Sequence, residues 1–254
     1  MVNIVMKSII CGTARNIESF WESTKNSLEL LIDALDDYIL VIIESNSSDS
    51  TLQCLQKWSL NDSRKHIISL GHLSENSRTK RIAYCRNSYM EFLEVNKYFD
   101  NFEYMIVVDL DDAIKIEKNI KTQLDSCFDK NDWDAIASNR RGRYYDVWAL
   151  RSKELGCTFD CWEMIDKPTQ FYNGKYLLTR HDRINEFVRR FQKIITEWTV
   201  CESAFGGMVL YKTKKIRNRK YDGSTTCEHV SFNNGLVILL NPSLISGGEC
   251  GEHL

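Results

Sequence analysis

The sequence predicts an α/β fold built on a mostly parallel central sheet with helices on both faces. Two observations carry the prediction: short apolar runs alternate with longer amphipathic ones as far as residue 109, and polar clusters stand where the apolar runs end. Strands covered on both faces read as near-continuous apolar runs, which is how these read.

Taken in order, "IVMKSIICG" (4 to 12) is a strand and 16 to 36 a helix; "YILVIIE" (38 to 44) is a strand and 49 to 59 a helix. "HIISL" (66 to 70) is a strand, 78 to 96 a helix, and "YMIVVD" (104 to 109) a strand. Beyond 113 the rhythm loosens, with a helix expected near 181 to 195 and strands at 206 to 211 and 235 to 240. Only two prolines and no repeat punctuate the chain, so a single domain over 1–254 is expected.

Composition narrows the function classes. The chain has 254 residues, 43% of them hydrophobic, with six Trp and eleven each of Tyr and Phe, which supports a substantial core. A net charge of −2 argues against bulk electrostatic binding to nucleic acid, and no nucleic-acid partner is expected. Nine cysteines, an odd number scattered through apolar runs, read as reduced thiols and a cytoplasmic location. The start "MVNIVMKSIICG" lacks a basic head before a long apolar segment, and no run approaches the roughly 20 residues that span a bilayer.

In open sheets of this kind, ligands bind outside the carboxyl ends of the strands. The polar clusters fall there. "GTARN" follows the first strand and carries Arg15. "ESNSSDST" follows the second, where Glu44 and Asp49 are acceptors suited to ribose hydroxyls or a base edge, although Ser48 or Asp49 would also cap the next helix. "SRTKRIAYCRN" opens a helix with Arg78, Lys80, Arg81 and Arg86; such a row is often a solvated face, but an arginine fork can also hold a diphosphate.

The sharpest signal is "VVDLDD". Asp112 would suit a helix start, yet Asp109 stands inside the apolar run, and carboxylates this close repel unless a cation sits among them. Hard oxygen ligands suit Mg²⁺ or Mn²⁺ with phosphate oxygens. Farther on, "YYDVWALRS" offers Asp146, Trp148 and Arg151, a carboxylate, an aromatic face and a cation for sugar hydroxyls and ring faces. In "AFGGMVLY", Gly206 and Gly207 would let backbone approach a ligand. In "TTCEHVSF", His229 is a candidate third metal ligand. The run "KTKKIRNRK" (212 to 220) holds six positive charges, suited to a solvated loop, an anionic acceptor or peripheral contact with a membrane surface.

In this order, "RNIESFW", "ESNSSDST", "CRNSYMEF", "VVDLDD", "YYDVWALR", "FGGMVLYK" and "CEHVSFN" resemble the GT-A glycosyltransferases, and in particular the cryptococcal capsule mannosyltransferase family and similar viral and microbial sugar transferases. The resemblance covers most of the chain, from about 9 to 233. It implies a GT-A (Rossmann-like) domain with a nucleotide-sugar-binding half, 1–112, and an acceptor-binding half, 113–254. It further implies that Asp109, Asp111 and His229 hold Mn²⁺ or Mg²⁺, that Glu44, Asn46 and Asp49 contact the nucleoside, and that Arg15, Arg81 and Arg86 lie near the diphosphate, with Gly206 and Gly207 close to the donor.

The activity so implied is transfer of a hexosyl or pentosyl group from a UDP- or GDP-sugar to a hydroxyl of a glycan or glycoconjugate. If configuration inverts, Glu202 or Asp146 would take the hydroxyl proton. Two other readings suit a similar sheet: a sugar-1-phosphate nucleotidyltransferase, disfavoured because "CGTARN" has a single glycine, and a non-catalytic carbohydrate-binding protein whose aspartates hold a structural cation.

Overall fold

The computed structural model describes residues 5–111, 114–144, 146–167 and 178–247; Asp112, Tyr145 and Cys250 lie outside them. Strands β1 (Lys7–Ala14), β2 (Asp37–Glu44), β3 (Lys65–Ser69) and β4 (Tyr104–Val108) alternate with helices α1 (Trp21–Asp33), α2 (Thr51–Ser59) and α3 (Arg78–Val95). There follow α4 (Ile120–Ser126), β5 (Ala135–Asn139), α5 (Cys161–Asp166), α6 (Arg180–Phe191), β6 (Thr199–Cys201), β7 (Met208–Lys212), α7 (Thr213–Ile216), α8 (Glu228–Asn233) and β8 (Ile238–Ile245).

The eight strands of the described residues join one sheet in the order β3-β2-β1-β4-β7-β5-β8-β6. The first four pair in parallel, β7 runs antiparallel to both β4 and β5, β8 is parallel to β5, and β6 is antiparallel to β8. The later strands therefore extend the same sheet instead of forming one of their own.

Side chains along a strand point alternately to its two faces, and two apolar cores result. Ile9, Cys11, Val41, Met105 and Val107 face α3, α6 and the 144–150 segment; Ile10, Leu40, Ile42, Ile106 and Val108 face α1, α2 and α4. Each fully buried Ile, Leu or Val contributes roughly 1.5–3 kcal/mol of transfer free energy. The helix starts are set by capping: Ser77 Oγ accepts from Lys80 N at the start of α3, and Thr179 Oγ1 accepts from Asp182 N at the start of α6.

Two boundaries bear on the site. Strand β1 continues through Gly12 and Thr13 to Ala14, two residues past the apolar run. A Cβ on Gly12 would lie 2.8 Å from the Leu110 side chain, so this glycine lets the segment carrying Asp109 and Asp111 pack directly on β1. The cap position of α2 is Ser50, not Ser48 or Asp49.

Candidate functional site

A cavity of about 400 Å³ opens at the carboxyl ends of β1 and β4, a volume in the range that holds small ligands. One wall is made of strand ends and the first turns of α3, and it carries Arg15, Arg78, Arg81, Arg86, Asp109 and Asp111. Asp146, Trp148, Phe205, Cys227, Glu228 and His229 form the opposite wall.

Arg86 joins the two walls. Only 4% of its side chain is exposed; its guanidinium lies 3.6 Å from Asp109 Oδ1 and donates to Glu228 Oε1 at 3.1 Å. It also lies over the rings of Phe205 and Tyr221. Part of the positive charge that the aspartate cluster demands is thus built into the chain. Burial, and next the charge of Asp111, push the Asp109 carboxyl well above its usual range, while Arg86 pulls it down.

Two backbone bonds from the glycine pair fix the acids. Asp109 N–H donates to Gly207 O at 2.9 Å, and Gly206 N–H donates to Asp146 Oδ2 at 3.1 Å. Both glycines have positive φ, +68° and +87°, and a Cβ on Gly206 would meet Ser138 O at 2.1 Å. The close approach that requires glycine at 206 is therefore to the protein's own backbone, and neither glycine is among the residues lining the cavity. Burial pushes Asp146 up to about 6, offset in part by the hydrogen bonds from Gly206 and Ala149.

His229 is 2% exposed, stacks on Phe205 at 3.9 Å, and makes no hydrogen bond with either ring nitrogen. Burial, with the nearby Arg86 charge, holds its pKa well below the usual histidine range, so the imidazole is neutral. Orphaned buried nitrogens are costly.

Of the sequence-predicted residues, Arg15, Arg81, Arg86, Asp109, Asp111, Asp146 and His229 converge on the cavity. Glu44, Asn46 and Asp49 do not line it; they hold the loop between β2 and α2 together. Glu44 accepts from Ser47 N and Ser69 Oγ, Asn46 bonds to Leu73 through both amide atoms, and Asp49 accepts from Glu18 N and Thr51 N. Glu202 stands outside as well, its side chain 52% exposed beside Lys153. Arg151 is committed to the Trp148 and Leu150 carbonyls and to Asp160.

The basic run is also largely absorbed by the chain: Lys212 lies over Trp133, Lys215 pairs with Asp134, Arg217 with Glu94 and Asp100, and Arg219 donates to the Phe232 and Asn234 carbonyls. Sequence reasoning missed Glu228. The signal was its place beside His229, which a short helix turns towards the same cavity.

No protein-family model and no curated protein matches the sequence. Solved structures do. The Pyrobaculum calidifontis mannosyltransferase PcManGT, in complex with GDP-Man and Mn²⁺, aligns with TM-score 0.56 at 8% identity over 97% of this chain and 57% of that one. The fold is GT-A. S. aureus TarS 1-349 in complex with UDP-GlcNAc aligns with TM-score 0.52 at 15% identity, over 97% of this chain and 59% of that one. GalNAc-T7 with UDP, GalNAc and Mn²⁺ gives TM-score 0.52 at 12% identity, over 100% of this chain and 47% of that one. This chain spans about half to three-fifths of the length of those proteins. Such identities speak for the shared fold, with its mostly parallel sheet, as predicted.

Proposed function

We propose that the protein is a metal-dependent glycosyltransferase that moves a hexosyl or pentosyl group from a UDP- or GDP-sugar to a hydroxyl of a glycan or glycoconjugate. The observation that carries the reading is one cavity at the strand ends of a GT-A sheet, in which Arg15, Arg78 and Arg81 stand with Asp109, Asp111 and Asp146. Such a cavity suits a ligand with an anionic diphosphate and a hydroxyl-rich sugar. The solved structures of similar fold, with GDP-Man, UDP-GlcNAc, UDP and Mn²⁺ in their descriptions, support it.

The side chains suit a divalent cation. Asp109 and Asp111 are hard oxygen donors, and His229 is a neutral imidazole with both nitrogens unsatisfied. Among the described residues no three His, Cys, Asp or Glu side chains form a ready metal cage; Mg²⁺ and Mn²⁺ sites use one or two carboxylates with waters and phosphate oxygens. Asp109, Asp111 and His229 are the residues that would hold Mn²⁺ or Mg²⁺, whose chemistry is to neutralise the departing diphosphate.

The remaining roles belong to the chain. Arg15, Arg78 and Arg81 bind the diphosphate, aided by the positive end of α3. Arg86 keeps Asp109 and Glu228 in place. In an inverting reaction Asp146, oriented by the Gly206 N–H, accepts the proton of the acceptor hydroxyl; in a retaining one the leaving phosphate does so. Residues 1–112 supply most of the donor side and 113–254 the acceptor side. The eight cysteines among the described residues are free thiols, and no helix among those residues is long and apolar enough to cross a membrane.

The test is turnover. Purified protein with Mn²⁺ and a panel of UDP- and GDP-sugars should release nucleoside diphosphate from one donor class, faster with acceptor present, and EDTA should stop it. Pyrophosphate release from a nucleoside triphosphate and sugar 1-phosphate would establish the nucleotidyltransferase instead, and binding without turnover a carbohydrate-binding protein.

A further inference from the structure

Among the described residues Trp148 is the only tryptophan that lines the cavity, and the Asp160 carboxylate, outside the cavity lining, fixes it. Its indole Nε1–H donates to Asp160 Oδ2 at 3.0 Å, and its ring meets Trp162 edge-on, centroids 6.4 Å apart at 85°. The same Oδ2 accepts from Arg151 at 3.5 Å and from the Thr226 hydroxyl. The other oxygen, Oδ1, caps α5 through Trp162 N at 2.9 Å and Glu163 N at 3.2 Å. Asp160 thus ties together three stretches of the far wall: the 146–151 segment, the start of α5, and the 226–229 segment that carries Glu228 and His229. Arg151 adds a second tie, since it donates to the Trp148 carbonyl and to Thr226 Oγ1.

A structural staple needs no aromatic ring in a cavity, and Trp148, which packs against the core, also lines the cavity that holds the arginines and aspartates. A fixed aromatic face is the group that receives the apolar C–H face of a pyranose, while neighbouring carboxylates take its hydroxyls. We propose that Trp148 is the platform for the sugar ring and that Asp160 is its positioning residue, holding the indole in one geometry. The proposal rests on the donor reading above and deepens it, because it places sugar recognition on the far wall and nucleotide recognition on the arginines.

The test measures how much the sugar adds to nucleotide affinity. Dissociation constants are measured by calorimetry for GDP and GDP-mannose and for UDP, UDP-glucose and UDP-N-acetylglucosamine, all with Mn²⁺, on wild type, W148F, D160N and the double variant. Asn at 160 keeps a good helix cap. For the sugar nucleotide that wild type prefers over its parent nucleotide, W148F and D160N should each lower that preference at least 5-fold while leaving the affinity for the parent nucleotide within 2-fold.

The double variant should be no worse than W148F, because Asp160 acts through the ring. A sugar preference unchanged in both single variants overturns the inference and leaves the donor reading intact. Equal losses for sugar nucleotide and parent nucleotide also overturn it, since that is the pattern of a merely structural role. Failure of wild type to bind any of these nucleotides overturns both.

Discussion

The two walls of the cavity are built by different means. The strand-end wall grows from local order: β1 and β4 each carry their polar residues just past a buried run, and the first turns of α3 deliver three arginines. The far wall has no regular element over 146–150 and is held by side chains, with Asp146 bonded to the Gly206 and Ala149 N–H groups and Asp160 joining Trp148, Arg151 and Thr226. A wall made of strand ends is specified by burial; a wall made of loops must be specified by hydrogen bonds. Arg86 is where the two depend on each other.

Removing that link should have the largest effect. Arg86→Met leaves the buried Glu228 carboxylate and the part-buried Asp109 carboxylate with their shared cation gone, and breaking a buried pair costs about 3–5 kcal/mol. Urea unfolding should show the loss, with a second, equally large loss in nucleotide affinity. Stability within about 1 kcal/mol of wild type would mean that the walls stand independently.

Next in size is the acid on the far wall. Asp146 sits near pKa 6, so it is largely protonated below that value and ionised above it. A base of this kind makes activity rise with pH through about 6. Asp146→Asn should flatten that limb and lower kcat by about 10²–10⁴-fold with nucleotide binding kept; an unchanged pH profile would remove Asp146 from the chemistry.

Glu202 should matter least. Half-exposed beside Lys153 and outside the cavity lining, it should tolerate Glu202→Gln with stability changed by no more than about 0.5 kcal/mol and with kcat unaltered. A large fall in kcat would bring Glu202 back as the proton acceptor.

The same contrast explains what the sequence disclosed. Strands β1, β2 and β4 were legible because each is buried on both faces, β3 was legible as a short apolar run although it lies half-buried at the sheet edge, and α3 was read almost to its last residue. Strands β5 and β6 and helices α4, α5, α7 and α8 went unread: they are short, and β6 exists only through its pairing with β8. At the site, Asp109 and Asp111 were visible because charges at the end of a buried run have no cheap structural excuse. Glu44 and Asp49 looked similar in a row of letters, yet their oxygens are spent on a turn. The glycine pair was visible as a backbone approach but not its object, the Ser138 carbonyl across the sheet. Glu228 was overlooked because a carboxylate beside a histidine carries no sign of the arginine it faces until the chain is folded.

The metal-dependent site for a nucleoside diphosphate proposed at Asp109 and Asp111 decides the rest. It is tested most directly by thermal unfolding of wild type and Asp111→Ala with UDP or GDP, each with Mn²⁺ and with EDTA. A nucleotide at a hundred times its dissociation constant stabilises the folded state by roughly 2.7 kcal/mol. Wild type should show that shift with one nucleotide and Mn²⁺ and lose it in EDTA, and Asp111→Ala should lose it while its unfolding without ligand stays close to wild type. An equal shift in EDTA, or in Asp111→Ala, would contradict it.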